Sequence, residues 1–504
     1  MQTIEIPINR ARKQTPLKER LKKWILTDKL NNPLGYVFLT ACAVFFAAVV
    51  SVKGATPGVL LIVAFIGIPF VYSVVVFPRF GVVVLLLMAY LLFTIMKIGI
   101  DFPLGTLMDA LQGLLILGFF IQQKKEKNWN ILRSPISPII IIWISYNLIQ
   151  VVNPTAESRL AWLYTVRSVA VVMLMYFIFM YNIRTVALIR LILKIWILLS
   201  LVGALYAFKQ EFLGFSAGEE AYLHSNPEIV GLLFIAGHWR KFSIFSDPVA
   251  FSYNMAISSL LCICLIAGQL KLWKKIVLAI CTALFLISML FSGTRGSYVL
   301  VPAGMILFAI LNYSKKVLLF SIAGALLIGF LIVLPTSNQN ILRFQTAFKP
   351  SDDVSFKARK VNQARIQPYI LSHPMGGGLG ACGAWGRRFA PNSYLASFPP
   401  DSGYVRVAVE LGWIGLFIFC VFMFVILKTG INNFYRIRDP ELKTYCLAMT
   451  LMVFALNLGN YPQEALVQFP TTIYFYLIIA LINVTYRLDL EKNGPIEKMP
   501  LKAG

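Results

Sequence analysis

Long apolar stretches separated by short polar or basic segments set the pattern of this chain. Fourteen such runs can be drawn, at 34–52, 55–77, 81–100, 103–122, 136–152, 160–181, 187–207, 248–268, 274–292, 297–313, 316–335, 403–428, 442–460 and 468–486. About 20 apolar residues cross the hydrocarbon core of a bilayer as a helix. Inside that core each backbone N–H and C=O has to be satisfied within the segment, which leaves helix as the conformation. The pattern predicts an all-α polytopic membrane protein with about 12–14 transmembrane helices.

Composition agrees. Of 504 residues, 58% are hydrophobic and 13% charged, which excludes a string of water-soluble domains. The net charge of +24 would suggest nucleic acid in a soluble chain. Here most of it lies between the apolar runs, where it orients the protein and meets anionic lipid, so nucleic acid is not an expected partner. Residues 1–33 carry Arg10, Arg12, Lys13, Lys18, Arg20, Lys22 and Lys23; this segment is too long and too charged for a cleaved signal peptide, and the first span is expected to act as an uncleaved anchor. With the N-terminus inside, the inner loops hold basic clusters such as Lys124, Lys125, Lys127 and Arg133, or Lys271, Lys274 and Lys275. That alternation places both termini, including the tail at 487–504, in the cytoplasm. The first eleven spans occupy 34–335 and the last three 403–486. Two large outer segments remain, near 208–247 and 336–402.

The second of these is unusually basic for its side. It holds Arg343, Lys349, Lys357, Arg359, Lys360, Arg365, Arg387 and Arg388 against Asp352, Asp353 and Asp401. Positive charge normally stays in cytoplasmic loops, so a cationic outer loop points to an anionic ligand. Within it, Lys357–Leu371 places Val361, Ala364, Ile366, Tyr369 and Ile370 as an amphipathic interfacial helix. The glycine-rich run from Pro374 to Gly386 reads as a turn or irregular loop.

Several ionisable residues stand at or inside the apolar runs, where charge is costly and function is the default reading. Arg295 lies in SGTRGSYV on the outer side, between Gly293 and Gly296, where small neighbours let a phosphate approach; the alternative is a snorkelling arginine at a tight turn. Arg240 precedes KFSIFSDP, in which Asp247 and Pro248 suit a helix cap and first turn. Arg406 and Glu410 are four apart on one helix face, an ion pair by spacing and also candidates for the site. Arg167 is a lone membrane arginine, functional or paired with a residue such as Asp109. Asp401 reads as a general base or a helix cap. His373 is the other base by ordinary pKa, in a Pro-Gly setting that suits a turn. Gly376, Gly377, Gly378 and Gly380 could offer N–H groups to phosphate, although their spacing matches neither a P-loop nor a dinucleotide fingerprint. Six of the seven cysteines lie in apolar runs and only Cys382 in a loop, so no disulfide framework is expected. The three histidines lack metal-ligand spacing, and neither metal nor cofactor is expected.

Three stretches together resemble the O-antigen ligase and polymerase superfamily of bacterial inner-membrane glycosyltransferases. SGTRGSYV is similar to the family's SG-x-R-G turn. RKFSIFSDPVAFSYNMA is similar to its arginine-bearing segment leading into a helix. KARKVNQARIQPYILSHPMGGGLG, followed by DSGYVRVAVELGWIGL, resembles its large periplasmic loop and the E-x-G-x-x-G-L helix after it. The resemblance covers about residues 200–430. It implies a GT-C-like, metal-independent enzyme at the periplasmic face of the inner membrane, using a glycan on undecaprenyl pyrophosphate as donor and a glycan or lipid A core as acceptor. Arg240 and Arg295 match the arginines that hold the pyrophosphate. Ligases usually carry a histidine directly before the last helix named; Asp401-Ser402 stands there in this chain, which points to a polymerase of O-antigen or exopolysaccharide. Asp401 then becomes the expected base, and Arg359, Arg365, Arg406, Glu410 and His373 the expected substrate contacts. Two other classes share some of these features. A lipid-linked oligosaccharide flippase would place its charges deep along a pathway between repeat halves, and a non-catalytic assembly partner has no need of an arginine in a glycine turn.

Overall fold

The structure is a computed structural model, and it describes residues 32–53, 55–97, 104–127, 129–235, 237–348 and 354–494. The basic N-terminal segment before residue 32, Lys349, Asp352, Asp353 and the tail after residue 494 lie outside the described residues. The helices are α1 Pro33–Lys53, α2 Ala55–Val76, α3 Pro78–Lys97, α4 Leu104–Glu126, α5 Ile136–Val152, α6 Arg159–Asn182, α7 Val186–Phe212, α8 Ala217–Leu223, α9 Pro227–Leu233 and α10 Pro248–Ala267. They continue as α11 Leu272–Phe291, α12 Arg295–Leu311, α13 Lys315–Val333, α14 Gln339–Thr346, α15 Val354–Ser372, α16 Gly383–Phe389, α17 Gly403–Arg436, α18 Pro440–Gly459 and α19 Thr471–Asn493.

Each of the fourteen predicted apolar runs coincides with a helix. Nine of the described helices are long and apolar enough to span a membrane alone; α2 and α3 qualify only as a bent pair, and α5, α12 and α13 are shorter. The chain is a multi-pass, all-α membrane protein. A two-residue hairpin, Phe234–Ile235 with His238–Trp239, is the only sheet among the described residues.

Contacts divide the chain into two units, one ending at Tyr72 and the other beginning at Ser73. In the first, α1 leaves Leu34, Val44 and Phe45 exposed, surface that lipid tails cover at no cost. In the second, α10 is the central helix, packed against α7, α11, α12 and α18, while α19 packs on α6, α17 and α18. Between helices in lipid, small residues and hydrogen bonds replace the hydrophobic effect as the glue. Gly304 accordingly lies against Leu260 and Gly430 against Thr450. Ser200 bonds both Tyr90 (3.0 Å) and Ser258 (2.8 Å), and Asn254 Nδ2 donates to Thr471 Oγ1 (3.1 Å). Arg167 sits in a π turn of α6 and pairs with Asp109 at 3.1 Å.

The two large loops are built segments. In 208–247, Ser216 and Glu219 form a capping box that starts α8. In 336–402, α15 begins earlier than the predicted Lys357 and docks on α17: Ile366 is buried with Cys382, Leu395, Phe398 and Val409. Val361 and Ala364 remain exposed, so Ile366, Tyr369 and Ile370 alone make the packed face. The glycine run is irregular only as far as Cys382. Gly383–Phe389 is helical, because stacking of Trp385 and Phe389 on Tyr164, at 4.9 and 5.0 Å, anchors that turn on α6.

Candidate functional site

Three arginines from three parts of the sequence meet at the turn between α11 and α12. Arg240 Nε donates to Ser292 O (2.9 Å), Nη2 to Thr294 Oγ1 (2.9 Å) and Nη1 to Leu232 O (3.2 Å). Lys241 N donates to Phe291 O (3.0 Å), which joins the two segments edge to edge. Arg343, from α14, donates to Ile235 O (2.9 Å) and lies over Gly293. Gly293 has φ +60°, which favours glycine, and a Cβ there would also displace the Arg343 guanidinium. Arg295 opens α12 beside them. Burial first, and then the charge of Arg343, push the Arg240 pKa down to about 10; Asp247 opposes this and Arg295 adds to it. Burial and Arg295 likewise depress Arg343. The charges of Arg343 and Arg295 act against that of Arg240, and an anion at the turn would favour all three. Asp247 caps α10 through Val249 N (2.8 Å) and Ala250 N (3.0 Å), with Pro248 in the first turn.

A second cluster is built around a break in α17. Gly412 has φ +71° and ψ −178°, and the carbonyls around the break are satisfied from outside the helix. Gly377 N donates to Val409 O and Gly378 N to Glu410 O, both at 2.9 Å, and Tyr146 Oη donates to Leu411 O at 2.7 Å. The loop is held in turn by Asn153 and Thr155, which donate to Gly376 O. The Glu410 carboxylate accepts from Gly380 N (3.1 Å), Cys382 N (3.4 Å) and Arg406 Nε (3.2 Å). The N–H groups of Gly377, Gly378 and Gly380 thus serve α17 and Glu410, and that of Gly376 serves His373 O, rather than standing open to phosphate. Both Glu410 oxygens are engaged within the protein. Arg406 pairs with Glu410, as its spacing predicts, and also with Glu464 at 2.7 Å. Burial raises the Glu464 carboxyl, and Arg406 only partly offsets this.

Asp401 stands just before α17, and its charge adds to the rise of the Glu464 carboxyl. Ser402, not Asp401, caps α17 by accepting from Val405 N. Asp401 shares a small pocket with Arg359, Asn362 and Gln363. Burial raises its carboxyl above the ordinary range and Arg359 pulls it back. Arg365 and His373 are elsewhere: Arg365 lies over Tyr394 (6.0 Å), and the His373 ring stacks on Tyr369 (3.9 Å) with Nδ1 2.9 Å from Tyr369 O. His373 closes the C-terminal turn of α15. Among the described residues no group of three or more His, Cys, Asp or Glu side chains converges as a metal site requires.

Arg343 and Glu464 were not among the expected site residues. Arg343 had a signal, as one basic residue of the cationic loop. Glu464 is the only acidic residue between α18 and α19, but nothing in its neighbourhood tied it to Arg406.

Residues 280–420 match the family model described as O-Antigen ligase. That segment carries Arg295, Arg343, Asp401, Arg406 and Glu410, and the match supports the resemblance to the O-antigen ligase and polymerase superfamily. The family comprises glycosyltransferase-like ligases and polymerases that act on lipid-linked glycans and acceptors. No curated protein matches the chain. Arg240 and Glu464 lie outside the matched segment and reach it through the fold.

Proposed function

We propose that the protein is a glycosyltransferase of the bacterial inner membrane that polymerises oligosaccharide carried on undecaprenyl pyrophosphate, working at the periplasmic face without a metal. The observation that carries this reading is the convergence of Arg240, Arg295 and Arg343 on one glycine turn. Attack of an acceptor hydroxyl on the anomeric carbon breaks the carbon–oxygen bond to pyrophosphate, and the electron pair departs with the lipid pyrophosphate. Positioned guanidinium groups stabilise that developing charge and can take the place of a metal ion. The hydroxyl proton passes to Asp401. The distribution of basic loops supports cytoplasmic termini and a periplasmic position for the arginines. Asp401-Ser402 in the place of the usual histidine favours polymerase over ligase.

The test is transfer by purified protein in lipid, supplied with a lipid-pyrophosphate-linked oligosaccharide, with and without EDTA. Longer lipid-linked chains that EDTA does not affect support the reading. Transfer that requires lipid A core identifies a ligase instead. Absence of transfer from folded, donor-binding protein favours a flippase.

The raised Asp401 carboxyl gives a pH prediction. A base acts only when ionised, so activity rises as pH climbs through its pKa, and the acid limb lies above the ~4 of a free carboxylate. Asp401→Asn removes that limb and slows transfer by about 10²–10⁴-fold. An unchanged pH–rate profile in the variant would exclude Asp401 as the base.

A further inference from the structure

The reaction as written leaves unused a cavity of about 270 Å³ whose wall includes Arg406 and Glu464. It lies among α5, α6, α17, α19 and the segment joining α18 to α19. Aromatic side chains, among them Trp143 and Trp385, make up much of the lining. The polar groups on the wall have hydrogen-bond acceptors to spare. Glu464 Oε2 takes a bond from Arg406, while Oε1 has no protein partner among the described residues. Asn147 is wholly buried; its Nδ2 donates to Trp143 O at 2.8 Å, and its Oδ1 has no hydrogen-bond partner among the described residues. Around Arg406, one guanidinium faces two carboxylates.

A hydrocarbon chain in this space would leave Oε1 and Oδ1 desolvated and unpaired, which is costly for an amide and more so for a carboxylate. A sugar ring supplies what is missing, because its hydroxyls donate to acceptors and its C–H face lies against aromatic rings. The volume corresponds to about nine waters at roughly 30 Å³ each, the size class of one sugar ring with little to spare. The location also fits. Gly403, on the wall, is two residues from Asp401. Asn460, also on the wall, is two residues from Pro462, which packs against Gly296 beside Arg295.

We propose that this cavity binds one sugar ring of the acceptor glycan, with Glu464 Oε1 and Asn147 Oδ1 accepting hydrogen bonds from its hydroxyls. The word acceptor rests on the transferase reading above; saccharide binding itself does not. The probe is a lipid-free repeat-unit oligosaccharide released from the host's own surface polysaccharide. It is titrated against the protein in lipid nanodiscs and followed by tryptophan fluorescence, since Trp143 and Trp385 line the space. The expected result is a saturable change that Glu464→Gln and Asn147→Leu each weaken by about tenfold, the loss of roughly one buried hydrogen bond. In the transfer assay the half-saturating acceptor concentration rises by the same factor and that of the donor does not. If a core substitution prevents folding, Trp385→Ala on the short loop helix α16 probes the same wall.

Two outcomes overturn the proposal. One is a signal from undecaprenyl phosphate, but not from the oligosaccharide, that the substitutions abolish; this makes the cavity a lipid groove. The other is transfer with unchanged acceptor dependence in every folded variant, which removes the site and leaves the transferase reading standing. Saccharide binding that the variants lose, in a protein that never transfers, removes the transferase reading and leaves the site.

Discussion

Arg295→Ala lowers the rate of glycan transfer, at equal amounts of folded protein, by about 10²–10³-fold, roughly 3–4 kcal/mol of transition-state stabilisation. The size of the effect follows from where charge develops. When the anomeric bond breaks, the pyrophosphate gains negative charge that the substrate did not carry at that oxygen, and fixed cations act on this difference. Arg295→Lys falls between the two, because an ammonium keeps the charge and loses the planar fork that engages two oxygens at once. Arg343→Ala is a second clean probe, since the one hydrogen bond it is seen to make is to Ile235 O at an exposed position. Arg240→Ala is a poor one: its three bonds to Ser292, Thr294 and Leu232 also hold the turn in place, so lost activity there does not separate chemistry from folding. The measurement is chain elongation from a lipid-pyrophosphate donor with protein matched for folded content by size-exclusion profile. Arg295→Ala working at the unaltered rate would dismiss the arginine cluster as the leaving-group site.

Gly412→Ala is expected to cost about 3 kcal/mol or more, enough to deplete the folded protein in the membrane. Two effects add. The backbone at φ +71°, ψ −178° belongs to a region that is essentially glycine's alone. A Cβ at that position would also overlap the Pro374 carbonyl and crowd Gly376 N. The strained break is what lets Gly377, Gly378 and Tyr146 cap the freed carbonyls and brings Glu410 to the loop, so its loss detaches the loop from α17. Gly113→Ala, in α4 with nothing within reach of its Cβ, serves as the control and should be neutral or mildly stabilising. Thermal unfolding in detergent and folded yield from membranes report both. A Gly412→Ala protein that unfolds at the unaltered temperature would show that the break is dispensable.

Much of the site's raw material was legible in the chain. The SGTRGSYV turn, the Asp247-Pro248 helix start, the Arg406–Glu410 spacing and the Arg167–Asp109 pairing are local signals or charge-balance arguments. Each rests on physics that acts within a few residues or across one apolar run, and each has its counterpart in the structure. The glycines of 374–386 were legible as a turn but not in their use, because Gly377 and Gly378 answer carbonyls and Gly380 answers a carboxylate some 30 residues further on. Asp401 and Ser402 divided their roles in a way that only the cap geometry at Val405 reveals.

The sequence by itself determined the class of protein. A long apolar run in hydrocarbon satisfies its backbone as a helix, so composition and the length of the runs point to an all-α membrane protein without reference to packing. Only the tertiary structure decided which charges share a site. Arg343 reaches Gly293 across 50 residues, Arg240 reaches Ser292 across 52, and Glu464 reaches Arg406 across 58. No periodicity encodes those meetings, since they depend on how α10, α11, α17 and α18 pack in depth and register. Long-range electrostatics at the site is a property of that packing.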